Sequence, residues 1–213
     1  MTTIGEILDE FFSPFSSERL WIMPESDNYT GIVRQWQPVI DASNRTKRNL
    51  AENCALWGVN FMTIPSWQPT KTDAPKPRSY REFVPSPPGT DPDTCRNAFI
   101  IYVTSKYVGK IILLPPFPLS TEIQTGNLYT CSIGSFNIYT SVDRINCTAK
   151  TAQMNFWMYN AMSRHSFGRF ASNPAFALSG MATQYMWWNW VESVDWSSGT
   201  VRTVPRVAGA SRW

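Results

Sequence analysis

Apolar residues recur at helical spacing in one short stretch near the start of the chain: Ile4, Ile7, Leu8, Phe11 and Phe12. Positions three and four apart share a helix face, so the pattern predicts a helix over residues 3–12 with a single apolar stripe. Thr3 followed by Glu6 makes a capping box at its start, and Ser13-Pro14 stops it. Gly5 weakens the helix by about 1 kcal/mol relative to Ala. So short a helix is marginal in water and must dock, on the chain's own body or on a neighbour. After it the pattern turns extended. Residues 19–41 carry Leu20, Ile22, Ile32, Val33, Trp36, Val39 and Ile40, with Pro24 and Pro38 as interruptions. Residues 44–53 are polar and allow a helical turn. Residues 55–64 read as a strand, with Leu56, Val59, Phe61 and Ile64 around Gly58.

Eight of the sixteen prolines fall between 65 and 97. Proline lacks the donor a sheet ladder needs, so this stretch reads as a long irregular excursion on the surface or at a contact. Strand-like runs return at 98–104 and 107–114, and Pro115-Pro116-Phe117-Pro118 ends the second. Tyr129, Cys131 and Ile133 alternate toward Gly134-Ser135, which suits a type II′ hairpin turn leading to Phe136 and Ile138. Met154, Phe156 and Met158 alternate against Asn155, Trp157 and Tyr159 in a strand over 151–160. Further runs lie at 184–196 and 200–207. Seven or more short strands with one early helix point to an all-β antiparallel β-sandwich.

Composition narrows the class. The 213 residues include ten Trp and only 16% charged positions, which excludes disorder and coiled coil. No apolar run is long enough to span a bilayer. The first residues, Met1 to Glu6, carry no basic region before an apolar core and read as lacking a secretory signal. Cys54, Cys95, Cys131 and Cys147 have no zinc-like spacing and are expected to be buried hydrophobes or free thiols. The Asn-x-Ser/Thr tripeptides at Asn28, Asn44 and Asn146 matter only in a secretory protein.

Catalytic material is sparse. His165 is the one histidine, set between Ser163-Arg164 and Ser166, and no phosphate loop, metal cluster or nucleophile elbow accompanies it. Glu192 with Asp195, and Asp91 with Asp93, read as solvated carboxylates. We therefore expect no enzyme activity, no catalytic residues, no metal and no cofactor. Alternation places Trp188, Trp190 and Trp196 on one side of a strand and Trp187 on the other, so both faces need cover. Neighbouring subunits, the chain's own core or, least of all, a stacked small ligand would supply it; on the first reading these Trp, with the stripe Ile4, Ile7, Leu8, Phe11 and Phe12, are candidate interface residues. The tail is one-signed, with Arg202, Arg206 and Arg212, and is a candidate RNA contact if many copies assemble.

Three stretches resemble jelly-roll capsid proteins of the picornavirus-like order (Picornavirales), nearest to those of dicistroviruses, iflaviruses and comoviruses. The first is Leu50-Ala51-Glu52-Asn53-Cys54-Ala55-Leu56-Trp57-Gly58-Val59-Asn60-Phe61, similar to an apolar turn entering a central strand. The second is Gly109 to Thr121, whose Pro115-Pro116-Phe117-Pro118-Leu119-Ser120-Thr121 is similar to a run in comovirus small coat proteins. The third is Asn155 to Ala161 followed by Ser166-Phe167-Gly168-Arg169-Phe170 and Pro174, similar to the last barrel strand and its loop. The resemblance implies an antiparallel jelly-roll β-sandwich of the viral capsid type, with an N-terminal helix and arm over 1–18, the barrel over 19–170 and a Trp-rich C-terminal extension over 171–213. It implies a structural subunit of an icosahedral shell, with other copies, sister capsid proteins and genomic RNA as partners. The subunit would be assembled in host cytoplasm and found in the virion, with no membrane contact. Where dicistroviruses have an Asp-Asp-Phe triplet linked to precursor cleavage, this chain has Ser163, Arg164 and His165, so no self-cleavage is implied. The alternative function is a carbohydrate-binding, lectin-like β-sandwich that stacks sugars on Trp and Tyr.

Overall fold

The computed structural model of the chain describes residues 2–73, 76–85, 95, 102, 131–164 and 180–204. Four helices lie wholly within the described residues, α1 (Ile4–Phe12), α2 (Asn28–Arg34), α3 (Gln37–Glu52) and α4 (Cys54–Asn60), and residues 131–133 are helical as well. The strands are β1 (Arg19–Met23), β2 (Tyr80–Val84), β3 (Phe136–Asn146), β4 (Thr151–Met162), β5 (Gln184–Asp195) and β6 (Arg202–Val204). They make a six-stranded sheet in the order β1-β5-β4-β3-β2, with β6 paired to β5. The fold is thus mixed helix and sheet, which corrects the all-β expectation. The chain divides into two compact units, each built from three segments.

The first unit takes residues 1–21, 85–136 and 160–186. Here α1 forms as its pattern predicts. The Thr3 hydroxyl accepts from Glu6 N–H while the Glu6 carboxylate accepts from Thr3 N–H, and the five stripe residues are buried. The stripe docks on the chain itself. Residues 180–184 run along the end of α1: Met181 N–H donates to Phe11 O at 2.9 Å and Gly180 N–H to Ser13 O at 2.8 Å. A Cβ on Gly180 would lie 2.8 Å from Ser13 O, so the close approach requires glycine. Gly134, expected in a hairpin turn, instead follows helical residues 131–133 with φ +56°. A glycine in the left-handed region ends a helix as readily as it turns a hairpin, and this one corrects the predicted hairpin.

The second unit takes residues 22–84, 137–159 and 187–213. Its helices overturn the extended reading over 28–41, which holds at 19–23 in β1, and the strand at 55–64. Asp27 caps α2, its carboxylate accepting from Tyr29 N–H at 3.0 Å. Pro38, read as a breaker, sits in the first turn of α3, where its missing N–H has no helical partner to lose. The inner face of α3 carries Val39, Ala42, Ser43, Thr46, Lys47 and Leu50. Ser43 and Thr46 donate back to Val39 O and Ala42 O, so burial leaves neither hydroxyl unpaired. Polar members dilute the apolar stripe, which is why α3 escapes a hydrophobicity pattern.

Strands β3 and β4 pair antiparallel from Asn137↔Tyr159 to Asn146↔Thr151, with an irregularity between Val142 and Arg144. The Trp-rich segment is β5, an interior strand between β1 and β4. Trp187, Trp188 and Trp190 are 0% exposed in the single chain. This corrects their expected position against other subunits. One face of β5 lies under α2, where Tyr29 meets Trp188 edge-on at 5.3 Å; beside it Trp190 stacks on Phe156 at 5.2 Å. The opposite face lies under the segment after β-bridge residue Met62, where Trp67 meets Trp187 at 5.3 Å and Trp187 Nε1 donates to Thr70 O. Within the proline-rich stretch only β2 is a strand among the described residues. The runs at 98–101, 103–104 and 107–114, the segment Pro115 to Pro118 and His165 lie outside the described residues.

Of the three resembling stretches, Leu50 to Phe61 covers the end of α3 and all of α4, and so is helical where a strand entry is implied. Asn155 to Ala161 lies in β4, as expected of a strand. The stretch Gly109 to Thr121 and the residues from Ser166 to Pro174 lie outside the described residues. The four cysteines form two disulfides, Cys54–Cys147 and Cys95–Cys131. This corrects the free-thiol reading: partners 93 and 36 residues apart are invisible to short-range spacing.

Candidate functional site

The second unit holds an open groove of about 450 Å³ between α2, α3, β5 and β6, lined by Arg34, Ser43, Asn44, Lys47, Glu192 and Thr203 among others. Glu192 is its hub. Lys47 Nζ lies 2.5 Å from one carboxylate oxygen and Arg34 Nη2 lies 3.9 Å from the other. Trp190 Nε1 donates to Glu192 at 2.9 Å and the Thr203 hydroxyl at 3.2 Å. Glu192 is therefore paired and only 11% exposed in its side chain, correcting its reading as a solvated carboxylate. Arg34 also binds Glu25 at 3.0 Å. Both cations already face carboxylates, so the groove offers little net charge to an anionic ligand.

The other face of the sheet carries a second polar cluster. Asp73 accepts from Tyr139 Oη at 2.5 Å, Asn137 Nδ2 at 2.8 Å and Arg81 Nη2 at 3.2 Å. Burial and the hydrogen bond to Asp73 raise the Tyr139 phenol above its ordinary range. Lys76 is 3% exposed, donates to Ser141 Oγ at 2.9 Å and sits 5.6 Å from the ring centres of both Trp67 and Trp157. Burial pushes its ammonium down to about 8, with the charge of Asp143 offsetting part of the effect. A lysine beside a serine is one way to activate a nucleophilic hydroxyl. Here Ser141 is fully buried and shares its hydroxyl with Thr63 at 2.7 Å, and the groove opens on the opposite face. The pair fastens the covering segment to β3.

The predicted site residues are scattered rather than convergent. Ile4, Ile7, Leu8, Phe11 and Phe12 are interior to the first unit, and Trp187, Trp188, Trp190 and Trp196 to the second. Arg202 is exposed at the start of β6; Arg206 and Arg212 lie outside the described residues, as do Asp91 and Asp93. Asp195 is a surface carboxylate held below its usual range by hydrogen bonds from Ser197. Sequence reasoning missed Lys47, Asp73, Lys76 and Ser141, because their meaning lies in partners 64 to 156 residues away, from Asp73 with Asn137 to Lys47 with Thr203. Among the described residues no group of three or more His, Cys, Asp or Glu is placed to hold a metal, and no helix is long and apolar enough to cross a membrane. No protein-family model, curated protein or solved structure matches the chain.

Proposed function

We propose that the chain is a structural, non-catalytic subunit of the icosahedral capsid of a small non-enveloped RNA virus, a jelly-roll-related β-sandwich assembling with sister capsid proteins around the genome. The supporting observation is a contrast in apolar placement. Trp57, Trp187, Trp188 and Trp190 are taken up inside the chain, yet Phe15 is 93% exposed, Val59 72%, Phe83 60%, Leu56 53% and Ile22 46%. Large side chains left outside a well-filled interior suit burial against other subunits. Two disulfides fit a particle that works outside the reducing cytosol, since virion surfaces are among the places where disulfides persist. In this reading Arg202, Arg206 and Arg212 meet RNA in many copies at once. The lectin-like alternative loses its main feature: none of the nine described Trp is exposed enough to serve as a stacking platform.

Purification of the chain alone and with its co-expressed sister proteins, followed by size exclusion with light scattering and electron microscopy, tests the reading. Closed shells or defined mixed oligomers support it. A chain that stays monomeric under both conditions overturns it. Glycans on Asn28, Asn44 or Asn146, all of them exposed, would place synthesis in the secretory pathway and overturn it as well.

A further inference from the structure

The two disulfides sit in different surroundings. Cys95 is buried and Cys131 half-buried in the first unit. Cys147 stands exposed in the turn between β3 and β4, and its partner Cys54 is half-buried at the start of α4. Thiol–disulfide exchange needs a thiolate to reach one sulfur, so access decides which bridge reacts and at which end. Helix α4 has a second, independent hold on the unit. Trp57 is fully buried, meets Phe61 at 4.9 Å and Tyr80 at 5.4 Å, and donates from Nε1 to Asn49 at 2.9 Å. Opening the bridge therefore leaves α4 anchored by Trp57 while its outward residues Leu56 and Val59 lose their tie to the β3–β4 turn.

We propose that Cys54–Cys147 is a reversible modification site, a surface clasp opened by low-molecular-weight thiols through attack at Cys147, whereas Cys95–Cys131 is a structural bridge. The external thiolate forms a bond to Cys147 Sγ as the Cys54–Cys147 bond breaks. The Cys54 thiolate leaves and takes a proton from water. A second thiolate then attacks the external sulfur of the mixed disulfide, releasing Cys147 as thiolate and the reagent as its own disulfide. Two thiols are oxidised and one protein disulfide is reduced. The inference stands on accessibility within the second unit and does not depend on the capsid reading. For an extracellular particle it supplies a change on entering a reducing compartment.

The test treats the oxidised full chain with reduced glutathione at pH 8 without denaturant, quenches with iodoacetamide at intervals and maps the cysteines by peptide mass spectrometry. Cys54 and Cys147 should become alkylated at least tenfold faster than Cys95 and Cys131, with the glutathione adduct on Cys147. The opening rate should not change in dilute urea, and the Cys54→Ser/Cys147→Ser chain should keep its circular dichroism spectrum. Equal rates for both bridges, an adduct confined to Cys54, opening that accelerates with urea as global unfolding does, or loss of fold in the double variant would each overturn the proposal.

Discussion

Two lysines are almost fully buried in the second unit, and the two faces of the sheet accommodate them by opposite means. Lys47, on the face covered by α2 and α3, meets the Glu192 carboxylate at 2.5 Å and the Thr203 hydroxyl at 3.0 Å. Lys76, in the proline-rich segment that covers the other face, has no carboxylate within ion-pair distance among the described residues and rests on a serine hydroxyl beside two Trp rings. A regular helix delivers its side chains at fixed spacing, so Lys47 is brought over β5 where Glu192 also points. The irregular segment reaches the sheet at every third residue, through Trp67, the Thr70 carbonyl, Asp73 and Lys76, each with its own partner. The helical cover stores its charge as a neutral pair, and the irregular cover leaves a cation held by dipoles and ring faces.

The largest effect should come from removing the ring that anchors the irregular cover. Trp187→Ala takes away the contacts to Trp67, Tyr139 and Tyr159 together with the bond to Thr70 O. We expect a loss of about 4 kcal/mol in urea unfolding or an insoluble chain; a soluble variant within 1 kcal/mol of the parent, on the order of a surface substitution, would show that the cover holds without it. Next, Lys47→Met leaves Glu192 in a site that excludes most water, with Arg34 at 3.9 Å as the remaining cation. A loss of about 3 kcal/mol is expected, against little change or a gain for Lys76→Met, which removes a desolvated charge and no carboxylate partner. Equal losses in the two variants would erase the distinction between the faces.

The pH profile sharpens it. The folded-state pKa of Lys76, about 8, lies below its ordinary value of 10.5. Between these values the unfolded chain binds more protons, so stability rises with pH from about 8 and the contribution is lost as pH falls through 8. The expected rise is roughly 2–3 kcal/mol by linkage, read from urea midpoints, and absent in Lys76→Met. Tyr139 acts in the opposite sense: its raised pKa stabilises the fold below pH 10 and the contribution fades as pH climbs further, so the profile should turn over. A flat profile from pH 8 to 10 in the parent chain would contradict the desolvated state of Lys76. The smallest effect belongs to the helix-covered face, where Thr140 Oγ1 is buried with no hydrogen-bond partner among the described residues. Thr140→Val keeps the shape and removes the orphan hydroxyl, and should add about 1 kcal/mol; a destabilised variant would mean the hydroxyl has a partner in solution.

Where structure follows from neighbours in the chain, the sequence determined it. Helix α1 carries its own cap and stripe, and β4 and β5 carry their own alternation, so their positions were legible from residues 3–12, 151–160 and 184–196. The proline-rich stretch was equally legible as irregular over its first part, because proline acts on its own residue and the one before it. Helices α2 and α4 were not legible, and α3 only as the helical turn allowed over 44–53. The buried face of α3 contains Ser43, Thr46 and Lys47, which look solvent-facing until the i−4 carbonyls and Glu192 are in place. Leu56 and Val59 mimic strand positions, although they are exposed on a helix turned inward at Trp57. Whether a buried polar or sulfur-bearing side chain is paired, and with what, depends on contacts tens of residues away. Cys54 with Cys147, Lys47 with Glu192 and Lys76 with Ser141 were therefore decided only when the fold brought their segments together.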